Sequence, residues 1–222
     1  MARLPRLVLP GHAHWVIQRA LPGAVAFADD TDRQRYLLHL REAAERHRLV
    51  LHAWALLAGE VQLLATPADT LALGLCVQAV GRGYVSAYNR RHARRGTLWD
   101  GRYRAAVVEP GAVLLTVLAL IDGQSAEPGW TSAPHRLGGL RDAALTDPPE
   151  FWALGNTPFE REAAYRGHLA APAPPDTTAA FRRAVLGGWP VASLAFASAL
   201  AASTGRAALP RLAGRPRSVG AG

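Results

Sequence analysis

The 222-residue sequence has no lysine, one cysteine and no apolar run long enough to cross a bilayer, and each absence excludes something. With Cys76 alone there is no internal disulfide and no cysteine cluster for a structural zinc, which fits a reducing compartment. No stretch approaches the roughly 18 apolar residues of a membrane span. The opening residues hold Arg3 and Arg6 but neither a long apolar core nor a small-residue cleavage site, so no secretory signal is expected and the cytoplasm is the expected location. Carboxylates are also scarce: 17 stand against 25 basic residues, all arginine, for a net charge of +8 and a pI near 10.8. Arginine binds phosphate as a planar fork and stacks on bases, so the balance points to a polyanion, although a GC-rich genome also enriches arginine. Half of the residues are hydrophobic, which excludes a disordered tail as the whole chain.

The periodicities predict an α+β fold. HAHWVIQR, from His12 to Arg19, follows Pro10-Gly11 and reads as a strand. Asp29, Asp30 and Thr31 offer a cap and an acidic first turn to a helix in which Tyr36, Leu37, Leu40 and Ala44 recur at helical spacing, ending near Arg48. The apolar runs Leu49 to Leu57 and Glu60 to Thr66, separated by Ala58-Gly59, predict an antiparallel hairpin. Thr70 is the expected cap of a second helix, with Leu73, Val77, Val80, Tyr84 and Ala87 as its apolar stripe, ending near His92. A strand from Arg104 to Glu109 and a helix from Val113 to Ile121 follow. The order predicts a mostly antiparallel sheet with helices on one face. The expected organisation is a domain over 1–145, a packed extension over 146–169, a Pro/Ala linker over 170–177 and a helical, basic tail over 178–222.

Chemistry concentrates between Arg82 and Arg104, where seven arginines and one aspartate share the segment with three tyrosines and a tryptophan. Arginines neutralise phosphates and aromatic faces stack on unpaired bases, so Arg82, Tyr88, Asn89, Arg90, Arg91, Arg94, Arg95, Trp99, Arg102 and Arg104, joined by Arg19, are candidate contacts for single-stranded or hairpin DNA. The alternative is a core Tyr84 and Trp99 with the arginines as a solvated face. Gly214-Arg215-Pro216-Arg217 is similar to a minor-groove hook, which adds Arg215 and Arg217, with Arg206 and Arg211 extending the positive stripe.

GHAHWVIQR, YNRRHARRGTLWDGRYRA and the FRRAVLGGWPVASLAF tail resemble the single-tyrosine HUH transposases, in particular the REP-associated tyrosine transposases of bacteria, over nearly the whole chain. The resemblance implies a ferredoxin-like α+β domain, often dimeric, that cuts and rejoins single-stranded DNA next to hairpins. It also implies two histidines on the hairpin holding a divalent cation and a tyrosine that attacks phosphorus. This sequence departs at both places. The hairpin reads LLAGEVQLLAT, with Glu60 and Gln62 in the histidine positions, and LLTVLALIDGQS puts Leu120 in the tyrosine position. The expectation is therefore a catalytically degenerate DNA-binding protein without a cofactor. The alternative is an active transposase or nickase that uses Mg2+ or Mn2+ with Tyr84 or Tyr88 as a substitute nucleophile, and a non-DNA scaffold is a third class. His12, His14 and His52 could form a relocated metal site or bond locally, and the latter is favoured, with no metal expected. Cys76 reads as a buried small residue, and Gly81-Arg82-Gly83 and Gly187-Gly188 read as breaks.

Overall fold

The computed structural model describes residues 6–124 and 130–207. Arg215 and Arg217 of the expected hook lie outside the described residues, as do Arg211 of the positive stripe and Ser125. The first half of the chain alternates as β1 (His14–Arg19), α1 (Asp30–Arg46), β2 (Leu49–Leu57), β3 (Glu60–Pro67), α2 (Ala72–Arg91) and β4 (Arg104–Val107). The four strands lie in the order β2-β3-β1-β4, and each neighbouring pair is antiparallel. This is the α+β order that the periodicities predict, in the ferredoxin-like split β-α-β arrangement that the resemblance implies. After β4 come α3 (Ala112–Asp122), α4 (Ala133–Arg136), α5 (Pro149–Trp152), α6 (Pro158–Ala170), α7 (Pro175–Gly187) and α8 (Leu194–Thr204).

Strand alternation sorts the side chains into two cores. Val16, Val61, Leu63, Ala65 and Ala105 face α1 and α2, where they meet Tyr36, Leu40, Leu73, Val77, Val80 and Tyr84. Trp15, Ile17, Leu64 and Ala106 face the other way and meet Val117, Leu118 and Ile121 of α3 with Tyr165 of α6 and Val185 of α7. Helices thus cover the expected face and the opposite one as well. The apolar run of β2, LVLHAWALL, lacks the polar alternation of a half-solvated strand because both of its sides are packed.

Local departures from the expected boundaries have simple causes. The N-cap of α2 is Leu71, not Thr70, and the side chain that serves this end is that of Asp69, whose Oδ1 accepts from the N–H groups of Leu71 and Ala72, both at 2.8 Å. Tyr88, rather than Ala87, continues the buried stripe of α2. Pro175 starts α7, because the first helical position needs no N–H, so this helix begins inside the stretch read as linker. Val191 does not start the last helix; its N–H donates to Val107 O at 2.8 Å, and Ser193 caps α8 instead. Between α3 and α5 the chain packs along the outer edge of β2, with Thr131 bridging Ala55 and Leu145 bridging Leu51.

Candidate nucleic-acid interface

Two clefts of about 710 Å³ each adjoin at the start of β4. One runs beside α2 and is walled by Gly74, Val77, Gly81, Arg82, Val85, Trp99 and Gln18. The other passes between Arg104 and Ala105 on β4 and the segments on either side of α8, at Gly187 to Pro190 and Gly205 to Ala207. Both are lined by Arg6, Arg102 and Tyr103, so they form one groove around the β4 edge of the sheet. No carboxylate is among the described residues that line it. Arg82, Arg102, Arg104 and Arg206 all line this groove, and none of them makes an ion pair among the described residues. Arg6 braces the junction: its guanidinium donates to Tyr103 O at 3.1 and 2.9 Å and lies 3.8 Å from the Tyr103 ring centroid. Four unmatched guanidinium groups around one trough make a surface that attracts a chain of phosphates.

The other residues of the basic segment are placed differently. Arg91 reaches back to the start of α1, with Nη2 2.6 Å from Asp29 Oδ2 and Nη1 2.7 Å from Asp32 Oδ1. That hydrogen bond is the main reason the Asp29 carboxyl is held down to about 2. Arg94 lies 5.7 Å from the Tyr88 ring centroid, and Arg90, Arg95 and Arg19 are exposed. Asn89 Nδ2 donates to Gly96 O at 2.8 Å and holds the turn after α2. Tyr88 and Trp99 are each 5% exposed and packed beside Tyr84 in the α1/α2 core; Trp99 also lines the α2 arm of the groove, and Tyr88 does not. The Tyr84 hydroxyl donates to Ala26 O at 2.6 Å and that of Tyr88 to Val25 O at 2.8 Å, and burial pushes both phenols up.

Glu60 and Gln62 lie on the opposite face of the sheet, with Leu64. Gln62 Nε2 donates to Glu60 Oε1 at 2.8 Å, and Arg182 of α7 forks onto the same carboxylate, Nη1 to Oε1 at 2.9 Å and Nη2 to Oε2 at 2.5 Å. Leu120 lies on a neighbouring apolar cleft with Phe181, the residue before Arg182, and with His168. Glu60 thus meets Arg182 of α7, and Leu120 shares a cleft with the residue before it. A divalent cation does not fit this donor set: the carboxylate is already neutralised by a bidentate guanidinium, and the amide turns a donor toward it. Among the described residues no group of three His, Cys, Asp or Glu side chains could hold a metal ion.

The histidines bond locally. His14 is fully buried; its Nδ1 donates to His12 O at 2.8 Å and its Nε2 accepts from Leu9 N at 3.2 Å, a neutral tautomer, and burial holds its imidazole down to about 4. His12 Nδ1 meets Pro10 O, and His52 bridges Thr146 O and Thr66 Oγ1. Burial raises the Cys76 thiol to about 12, which leaves it a protonated core residue. Sequence reasoning missed Gln18 and Trp189 in the groove and Arg182 opposite Glu60. The available signal was parity for Gln18, since strand alternation sets it on the α2 side with Val16; nothing local points to the other two.

No protein-family model matches the sequence, and neither does any curated protein. Among solved structures the chain is similar to a REP-associated tyrosine transposase bound to a REP hairpin, at 12% identity and TM-score 0.47, over 59% of this chain and 76% of that one. It is also similar to a Deinococcus radiodurans R1 protein assigned as a transposase, at 22% identity and TM-score 0.37, over 50% of this chain and 88% of that one. What those proteins bind is theirs, and the functional reading of this chain comes from its own side chains.

Proposed function

We propose that this protein binds single-stranded or hairpin DNA in the groove around β4 and does not cleave it. The observation that carries the reading is the trough with Arg82, Arg102, Arg104 and Arg206 on its walls, which has no carboxylate and no counter-charge on any of the four among the described residues. A net charge of +8 spread evenly would give only weak, diffuse attraction; concentrated in a concave path, it positions a backbone. The sequence resemblance to the single-tyrosine transposases names DNA as the polyanion. Two features of the opposite face support binding without cleavage. The Glu60 carboxylate is matched by Arg182, and Leu120 has no nucleophilic atom. Tyr84 and Tyr88 support it too, because their hydroxyls are held by backbone carbonyls in the α1/α2 core, on the other side of the sheet from Glu60.

Fluorescence anisotropy with a labelled DNA hairpin carrying an unpaired flank tests the reading. Four phosphate contacts give a log–log salt slope of about −3, from roughly 0.7 counterions released per contact on a single strand. Binding that ignores salt, or no binding at low ionic strength, would end the proposal.

A further inference from the structure

We propose that the α2 arm of the groove is a slot for one unpaired base and that Gln18 reads the edge of that base. The inference rests on the DNA-binding reading above and deepens it. Three observations carry it. First, Gln18 is 8% exposed, lines the cleft, and its amide has no hydrogen-bond partner among the described residues. Its amide atoms are not closed off from solvent; they open onto the cleft rather than into the core, where a polar edge can meet them. Second, the walls around it are apolar, from Val77, Val85, Trp99 and Tyr103, with Arg82 and Arg102 at the same cleft. A flat ring joined to a phosphate has the same division of character.

The third observation concerns glycine inside a helix. Gly74, Gly81 and Gly83 all interrupt α2, where each weakens the helix relative to alanine. Gly83 has an internal reason, since a Cβ there would come within 2.9 Å of the His39 ring. Gly81 has none: a Cβ would meet nothing within 4 Å, and at Gly74 it would meet only Tyr103 Oη at an ordinary 3.7 Å. The two glycines without a packing reason are the two that line the cleft. Their missing side chains let a flat ring lie against the helix backbone. A carboxamide presents a donor and an acceptor side by side, the pattern that pairs with a base edge, so Gln18 supplies discrimination while the arginines supply affinity.

The test uses the full chain and four labelled hairpins that differ only in one unpaired base beside the stem. The wild type should prefer one of the four by roughly tenfold, the lower part of the range for a good two-bond base contact. Gln18→Leu should lower affinity for the preferred hairpin to the level of the others. Gln18→Glu, an acceptor only, should move the preference toward guanine, whose pairing edge offers two donors, and away from thymine. Gly81→Ala should raise the thermal midpoint by relieving the helix while lowering affinity for all four hairpins several-fold. Salt-dependent binding of the wild type with no base preference, or a preference unchanged in Gln18→Leu, overturns the slot and leaves the DNA-binding reading standing. Unchanged affinity in Gly81→Ala likewise overturns it. No salt-dependent binding to any hairpin overturns both, as does a free mononucleotide that binds when no hairpin does.

Discussion

The two edges of the sheet use arginine in opposite ways. Along β2, Arg136 has a fully buried side chain held between Asp122 at 2.7 Å and Asp147 at 2.9 Å, and it also donates to His52 O on the strand itself. Asp122 in turn accepts from Ser132 Oγ and from the Tyr165 hydroxyl, which ties α3, α4 and α6 to that edge. Arg41 is likewise matched, to Asp142 at 3.0 Å. Along β4, Arg82, Arg102, Arg104 and Arg206 line an open groove and have no carboxylate partner among the described residues. The difference teaches that the charge of this chain is not one quantity. Matched arginines hold the fold, and unmatched ones are available to a partner.

Breaking the matched edge should give the largest effect. Arg136→Ala leaves Asp122, whose side chain is 0% exposed, as a buried carboxylate without its cation. The expected cost is about 3–5 kcal/mol, a large share of the stability of an ordinary domain, read as a fall in the urea midpoint. Pairing Arg136→Met with Asp122→Asn should recover part of the loss, because the uncompensated charge is then gone. If Arg136→Ala unfolds no more easily than the wild type, the edge is not held by this pair.

The unmatched edge should respond the other way round. Changing Arg102, Arg104 and Arg206 together to Ala should weaken hairpin binding by about 100-fold and flatten the salt slope by about 2. The unfolding free energy from urea titration should stay within about 0.5 kcal/mol of the wild type, as for surface substitutions generally. A triple variant that binds as well as the wild type removes the distinction between the edges as far as function is concerned.

A third measurement addresses both edges at once through their buried histidines. His14 lies opposite Val107 of β4, and His52 sits on β2. Burial lowers both imidazoles, His14 to about 4. An unfolded chain with ordinary histidines therefore binds more protons than the native one between about pH 6.5 and 4, so stability falls as pH falls through that window. For His14 alone the loss between pH 7 and 5 is about 2 kcal/mol, and His52 adds to it in the same direction. Urea midpoints at the two pH values check the sign; greater stability at pH 5 would contradict the neutral, locally bonded His14.

The order of elements was legible because each has a single clear period and its own punctuation. The cap at Asp29, the hairpin at Ala58-Gly59 and the stripe from Leu73 to Tyr84 were all read from neighbouring residues. The covered second face was not read, although the unalternating runs of β2 and β3 carried the signal. Composition alone places Tyr88 among the candidate DNA contacts of the basic segment, together with the groove residues Arg82, Trp99, Arg102 and Arg104. Helical period sets Tyr88 apart: it follows Tyr84 by one turn on the buried stripe of α2, while Arg82 falls on the other side. The groove itself needs Arg6, Gln18, Arg102 and Arg206 together, and no local pattern joins residues so far apart in the chain.

The smallest expected effect bears on the tyrosines, the only hydroxyls the sequence offered as substitutes for a missing nucleophile. Tyr84→Phe removes a hydroxyl that donates to Ala26 O at 2.6 Å and leaves that carbonyl unpaired, at a cost of about 1 kcal/mol. Hairpin affinity should not change, since Tyr84 is 1% exposed and lies in the core rather than in the groove. A phenol pushed up by burial and held by a carbonyl is a poor nucleophile twice over: its oxygen keeps its proton, and its lone pairs face protein. Wild-type protein incubated with a labelled single strand and Mg2+ or Mn2+ should therefore form no covalent adduct that survives denaturation. An adduct present in the wild type and absent in Tyr84→Phe would mean that the α1/α2 core opens to DNA, and the assignment of binding to one edge and structure to the other would fall with it.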